Sequence, residues 1–267
     1  MAGQYDSYSD GLGVNTQATP SPLLWSKVDA SLERPNAWIH DYQDFRNLPA
    51  TLNTTADVFG PCEAYASAGA TFLTLDEDGG PRQIVEATDD EGFAIRMGSQ
   101  PFKIIQGHGE LVFECRVKKQ EVALASNLFV GLIEAVIPSV TVPLTAAGAI
   151  TDNNYVGYVS LEADPDAIID EYQANGIAGV NTNSSIALVA DTYIKLGFVF
   201  NRDGDNKLWF YTNGQKQATS KAIPSAAGTD FPNDVRMGWI VAAIGGAASS
   251  VNVTADWIRV AQERVTP

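Results

Sequence analysis

Between residues 193 and 219 the chain alternates apolar and polar side chains with a period of two. Ile194, Leu196, Phe198 and Phe200 stand against Lys195, Gly197 and Val199, the pattern of a strand with one face in a core. A polar turn, Asn201-Arg202-Asp203-Gly204-Asp205-Asn206, leads into a second alternation of Leu208, Phe210 and Thr212 against Trp209 and Tyr211. That strand ends at Asn213-Gly214, where both residues tolerate positive φ and a tight hairpin follows. A polar third strand returns from Gln215 to Thr219. An antiparallel meander with one apolar face must be covered by a second layer, and the rest of the chain has to supply it.

The same pattern recurs downstream of residue 56. Strands are predicted at 71–75, 82–87, 93–97, 102–106, 110–118, 127–136, 154–162, 166–173, 185–189, 193–201, 206–212, 215–219, 236–244 and 250–262. Turn signals such as Asp78-Gly79-Gly80-Pro81, Gly107-His108-Gly109 and Gly245-Gly246 separate them. Many short strands about ten residues apart, with no long helical period, predict an all-β fold of two large antiparallel sheets, a jelly-roll sandwich. Residues 1–55 are predicted to be an arm and 56–267 the sandwich domain. Within the arm, residues 1–22 lack any period, and a short helix is expected from Asn36 to Arg46. Residues 138–152 read as a long loop.

Composition narrows the function. Lys plus Arg is 17 against 32 Asp plus Glu, a net charge of −15 over 267 residues, which argues against nucleic-acid or anionic-membrane partners. The opening MAGQYDSYSD has neither the basic nor the apolar region of a signal peptide. No stretch approaches the roughly 20 apolar residues of a membrane helix. Cys62 and Cys115 are either buried thiols or one disulfide. Thiols are favoured because Cys115 lies inside an alternating strand.

Candidate chemistry is sparse. Glu162, Asp164 and Asp166 alternate, as the paired carboxyls of a retaining glycosidase would on one strand face. The E-x-D-x-x-E pattern of β-sandwich glucanases nevertheless fails, because Ala167 stands at its third acidic position and Pro165 interrupts the ladder. The acidic turn 201–206 resembles a calcium loop but lacks a closing Glu; a hairpin turn explains it without metal, and Asp152-Asn153-Asn154 has the same status. His40 and His108 have no ligand partner at zinc spacing. There is no nucleophile elbow, P-loop or dinucleotide fingerprint. Trp209, Tyr211, Trp239, Trp257, Tyr155 and Tyr158 are candidates either for a sugar-stacking face or for the core and an interface; the second reading is favoured.

From about residue 110 onward the chain resembles virion-associated proteins of tailed bacteriophages built on a concanavalin A-like, laminin G-like jelly roll. The segments DNNYVGYVSLEADPDAIIDEYQANG (152–176), VADTYIKLGFVFNRDGDNKLWFYTNG (189–214) and TADWIRVAQER (254–264) carry the resemblance. It implies a capsid decoration or cement protein. Such a protein would be made in the host cytoplasm and displayed on the virion exterior. Its partners would be the major capsid protein and its own copies, commonly as a homotrimer.

The expectation is therefore a structural, non-enzymatic protein with no cofactor, metal or catalytic residues. Trp25, Trp38, Tyr42 and Phe45 of the arm are the candidate capsid or oligomer contacts. The alternative is a lectin-like module binding a surface glycan. A glucanase-like hydrolase using Glu162 and Asp164 is the third reading.

Overall fold

The computed structural model describes residues 19–30, 37–45, 57–59, 61–66, 71–74, 82–86, 91–120, 122, 126–134, 144, 150, 153–224, 230–246 and 251–264. Among the described residues one helix, α1 (Pro22–Ala30), precedes the strands. The first nine strands are β1 (Trp38–Gln43), β2 (Asp57–Phe59), β3 (Cys62–Ala66), β4 (Thr71–Thr74), β5 (Arg82–Glu86), β6 (Gly92–Met97), β7 (Phe102–Lys103), β8 (Leu111–Lys119) and β9 (Ser126–Ile133). The rest are β10 (Tyr155–Leu161), β11 (Asp164–Gln173), β12 (Val180–Asn181), β13 (Ile186–Ala187), β14 (Ile194–Phe200), β15 (Lys207–Thr212), β16 (Gln215–Ala222), β17 (Arg236–Gly245) and β18 (Val251–Glu263). Every strand expected from residue 71 onward has its counterpart.

They form two antiparallel sheets. The first runs β16-β15-β14-β8-β18-β5-β4, with β1 also paired to β18; the second runs β12-β11-β10-β9-β17-β6-β3-β2, with β13 on β11 and β7 on β17. The meander β14-β15-β16 lies at one side of the first sheet. Its inward residues meet those of the second sheet in one continuous core, which includes Phe113, Phe198, Phe210, Tyr158 and Trp239. Phe113 stacks on Phe198 with centroids 4.8 Å apart, and Tyr158 meets Phe210 edge-on at 5.6 Å. Cys62 and Cys115 are buried free thiols; burial pushes the Cys62 thiol up to about 12 and Cys115 well above its ordinary value.

A buried hydroxyl reaches across this core. The Tyr158 hydroxyl reaches from β10 into the first sheet, where it accepts from the Tyr211 N–H (3.1 Å) and lies within donating distance of the Gly197 and Tyr211 carbonyls (2.9 and 2.8 Å). Gly197 and Tyr211 are register partners on β14 and β15. Removing the hydroxyl takes a hydrogen-bond partner from these buried backbone groups in a place water does not reach. Tyr158→Phe should therefore lower the unfolding free energy by roughly 1–3 kcal/mol in urea titrations, despite adding no cavity of consequence.

The amino-terminal region departs from expectation. Residues 38–43 are a strand, not the expected helix, and β1 pairs along the carboxy-terminal half of β18, with Trp38 opposite Glu263 and Gln43 opposite Ile258. The helix lies earlier, where Pro22 occupies the first turn, a position that tolerates proline. Leu24, Trp25 and Val28 of α1 are buried with Val112, Val199, Tyr211, Ala261 and Trp38 on the outer face of the first sheet, while Leu23 is 76% exposed. Gly197 makes room for this packing, since a Cβ there would lie 3.0 Å from Leu24 and 2.7 Å from the Phe113 carbonyl.

Candidate functional site

The arm residues expected to grip a partner are placed as follows. Trp25 is fully buried beneath its own chain, and Trp38 and Phe45 are also buried; Tyr42 is 36% exposed. Phe45 meets Trp239 edge-on at 6.0 Å. Around Trp25 lies a polar cluster. Its indole N–H donates to Glu114 Oε2 (2.8 Å), and Glu114 also accepts from the Ser21 backbone N–H (2.8 Å) and Ser21 Oγ (2.5 Å). Burial raises the Glu114 carboxyl above its ordinary value, while the Ser21 and Trp25 donors oppose the shift. The Arg259 guanidinium sits 4.1 Å from the Trp25 ring centroid and donates to His40 Nε2 (3.1 Å) and Asp29 Oδ1 (2.5 Å). This cluster holds the arm to the sandwich.

His40 accepts from Arg259, so it is held neutral there. Burial and then the Arg259 charge depress its pKa from 6.5 to about 4. A depressed base contributes stability that is complete above 6.5 and is lost as pH falls toward 4, because the unfolded chain takes up the proton first. The contribution is on the order of 3 kcal/mol. Buried Glu114 and Asp170 and half-buried Asp256 have raised pKa values and act in the opposite direction, so the contrast must be made between proteins. The stability difference between wild type and His40→Gln should shrink or change sign as pH falls from 7 to 4, measured by urea unfolding at each pH.

The carboxylate row does not form a catalytic pair. Leu161 pairs with Asp164, so Glu162 and Ala163 are the turn of the β10–β11 hairpin, and Asp164 and Asp166 are exposed. Further along β11, adjacent Asp170 and Glu171 serve different neighbours. Asp170 accepts from the Thr182 and Asn183 N–H groups (both 3.1 Å), and Glu171 accepts from the Tyr155 hydroxyl. The 201–206 turn is closed by its own groups: Asn201 Oδ1 accepts from the Asn206 N–H (2.8 Å), and Asp205 accepts from the Lys207 N–H (3.0 Å) and the Trp209 indole (2.8 Å). Of the six aromatics considered for sugar stacking, all but Trp209 are buried, and Lys216 Nζ lies 3.2 Å from the Trp209 ring centroid.

Several polar and charged side chains gather around a cleft of about 420 Å³. Ile39 of β1 and Pro101 form apolar walls, and Lys103, His108, Arg236 and Arg264 line the remainder with Gln262 and Glu263. The floor is held from both sheets. The Lys103 N–H donates to Gln262 Oε1 (2.9 Å), and the Gln262 amide donates back to the Lys103 carbonyl. Arg236 opens β17 and is the register partner of Lys103, while Arg264 follows the last residue of β18. His108 comes to the rim because Gly109 lies against β18, where a Cβ would sit 2.5 Å from the Glu263 carbonyl oxygen.

The charges of the cleft are not equally committed. Lys103 pairs with Asp234, and Glu263 Oε2 lies 3.9 Å from Lys27 Nζ. The Arg236 and Arg264 side chains are exposed, and neither guanidinium has a carboxylate partner among the described residues. A cleft of this volume is within the usual range for small-ligand sites, roughly 300–1,000 Å³, with a few convergent polar groups on an apolar wall. Sequence reading missed it. Lys103, Arg236 and Arg264 fall at predicted strand ends, and His108 reads as a turn residue; which strand ends meet depends on sheet order, which periodicity does not carry.

No known family's sequence profile matches the chain, and no curated protein matches it. Solved structures do. A protein of unknown function from Shewanella oneidensis MR-1 aligns with a TM-score of 0.55 at 14% identity, over 87% of this chain and 91% of its own. An endo-1,3-β-glucanase from Streptomyces sioyaensis aligns with a TM-score of 0.54 at 11% identity, over 87% and 99%. The carbohydrate recognition domain of Emp46p aligns with a TM-score of 0.50 at 9% identity, over 79% and 95%.

The chain is thus a jelly-roll sandwich of the lectin and glucanase type. At these identities the likeness establishes the fold. It also corrects the expectation that the chain is not an enzyme. The same architecture serves an endo-glucanase, so neither an all-β fold nor the missing motifs excludes catalysis. The resemblance to phage capsid proteins gains no support from these comparisons.

Proposed function

We propose that the chain is a carbohydrate-binding β-sandwich whose site is the cleft between β7, β17 and the end of β18. The observation that carries this reading is the cleft itself: a small-ligand volume with apolar walls and hydrogen-bonding groups fixed by both sheets. The fold supports it, since a carbohydrate recognition domain and an endo-glucanase share the architecture. Sugars present many hydroxyls, and arginine and histidine side chains around a hydrogen-bonded floor are suited to bind them. The test is retention of the full chain on a panel of immobilised neutral and acidic polysaccharides, with the supernatant assayed for reducing ends. Retention by at least one polysaccharide is expected; retention by none overturns the proposal.

A virion location is a separate proposal and rests on the sequence resemblance. Counting copies of the chain against the major capsid protein in purified particles tests it, with hundreds of copies expected for a decoration protein and none for a protein absent from the particle.

A further inference from the structure

The charge distribution narrows the ligand. The chain has 17 Lys and Arg against 32 Asp and Glu, yet three of the cations line this single cleft. A surface this acidic repels anions generally, so a local reversal of sign favours one kind of ligand group at one place. Lys103 is neutralised by Asp234, and the Glu263 carboxylate is shared between Lys27 and the Glu110 backbone N–H, at 3.9 and 3.4 Å. That leaves two guanidinium groups facing the cleft without a carboxylate partner among the described residues. Arginine's planar fork matches a carboxylate or sulfate in bidentate fashion, which a neutral hydroxyl cannot reproduce. The backbones presenting the two arginines are each held by the neighbouring chain. Arg236 is tied into the ladder opposite Lys103, and the Arg264 N–H donates to the Ala37 carbonyl (2.8 Å).

From these placements we infer that the cleft takes an acidic saccharide, with Arg236 and Arg264 holding a carboxylate or sulfate group and Ile39 and Pro101 meeting the apolar edge of the ring. The inference rests on the carbohydrate-binding reading and adds the substrate class to it. Calorimetric titration of the full chain tests it with four probes: an oligogalacturonate, a chondroitin sulfate oligosaccharide, a neutral cello-oligosaccharide of equal length, and inorganic sulfate.

At least one acidic oligosaccharide should bind ten-fold or more tighter than the neutral one and than sulfate alone. Arg236→Ala with Arg264→Ala should weaken it at least ten-fold while leaving the thermal midpoint unchanged. Arg236→Lys with Arg264→Lys should recover only part of the affinity, since the charge remains without the fork. Equal binding of neutral and acidic probes, or an unchanged affinity in the alanine protein, overturns the inference and leaves the carbohydrate reading standing. Equal binding of sulfate alone makes the cleft an oxyanion site without saccharide selectivity and also overturns it. If no saccharide in this set or on the polysaccharide panel binds, both fall.

Discussion

Trp25→Ala should cost the protein about 3–5 kcal/mol of unfolding free energy, the range for emptying a fully buried large aromatic site. Three losses coincide at this residue. The indole leaves a cavity between α1 and the first sheet, where it lies with Leu24, Val28, Val112 and Ala261. Glu114, itself 1% exposed, loses one of its three donors and keeps only those of Ser21. Arg259 loses the ring beneath its guanidinium. Trp25→Phe separates these terms, because it keeps most of the volume and removes the N–H donor. Its cost should be about 1.5–3 kcal/mol, the worth of a hydrogen bond to a charged group. Urea unfolding of both variants is the measurement. A Trp25→Ala midpoint equal to wild type would mean that α1 is not docked in solution.

Arg202→Met should be nearly as damaging, about 3 kcal/mol, for an electrostatic reason. Arg202 donates through Nε and Nη2 to Glu110 Oε1 (3.1 and 3.0 Å), and through Nη1 and Nη2 to the Leu23 and Leu24 carbonyls (3.0 and 2.6 Å). It thus ties the turn after β14 both to the start of β8 and to α1. The Glu110 side chain is fully buried, and without Arg202 its remaining ion-pair partner is Lys27, which is 46% exposed. Removing one member of a buried pair leaves an uncompensated charge, and the cost is larger than the pair's own net worth. Adding Glu110→Leu to Arg202→Met should therefore recover a large part of the loss, because Lys27 can turn to solvent. A double variant as unstable as the sum of both singles would contradict this description of the cluster.

Trp25 and Arg202 both hold a region whose sequence signal is ambiguous. In β14, inward Ile194, Leu196, Phe198 and Phe200 alternate against outward Lys195, Gly197 and Val199, so its strand nature, its core face and the Asn213-Gly214 turn are all legible. β1 was not. Its inward residues are Ile39, Asp41 and Gln43, because it lies at a margin of the sandwich where Asp41 accepts from the Trp239 indole (2.5 Å) rather than entering a greasy core. A polar inner face erases the period that marks a strand. Trp25 reads as an isolated apolar anchor because its partners, Glu114 and Arg259, lie more than eighty residues away. The cleft is further still from local signals. Its walls come from β1, β7, β17 and the end of β18, and only the sheet order brings them together.

The central claim is that this cleft binds saccharide, and an amide-resolved NMR titration with the oligogalacturonate or chondroitin oligosaccharide tests it most directly. The expected result is saturable shift changes concentrated at residues 101–109, at Arg236 and at Gln262–Arg264, with the meander β14-β15-β16 unaffected. The contradicting result is an absence of saturable changes there, or changes confined to another face such as that around Trp209.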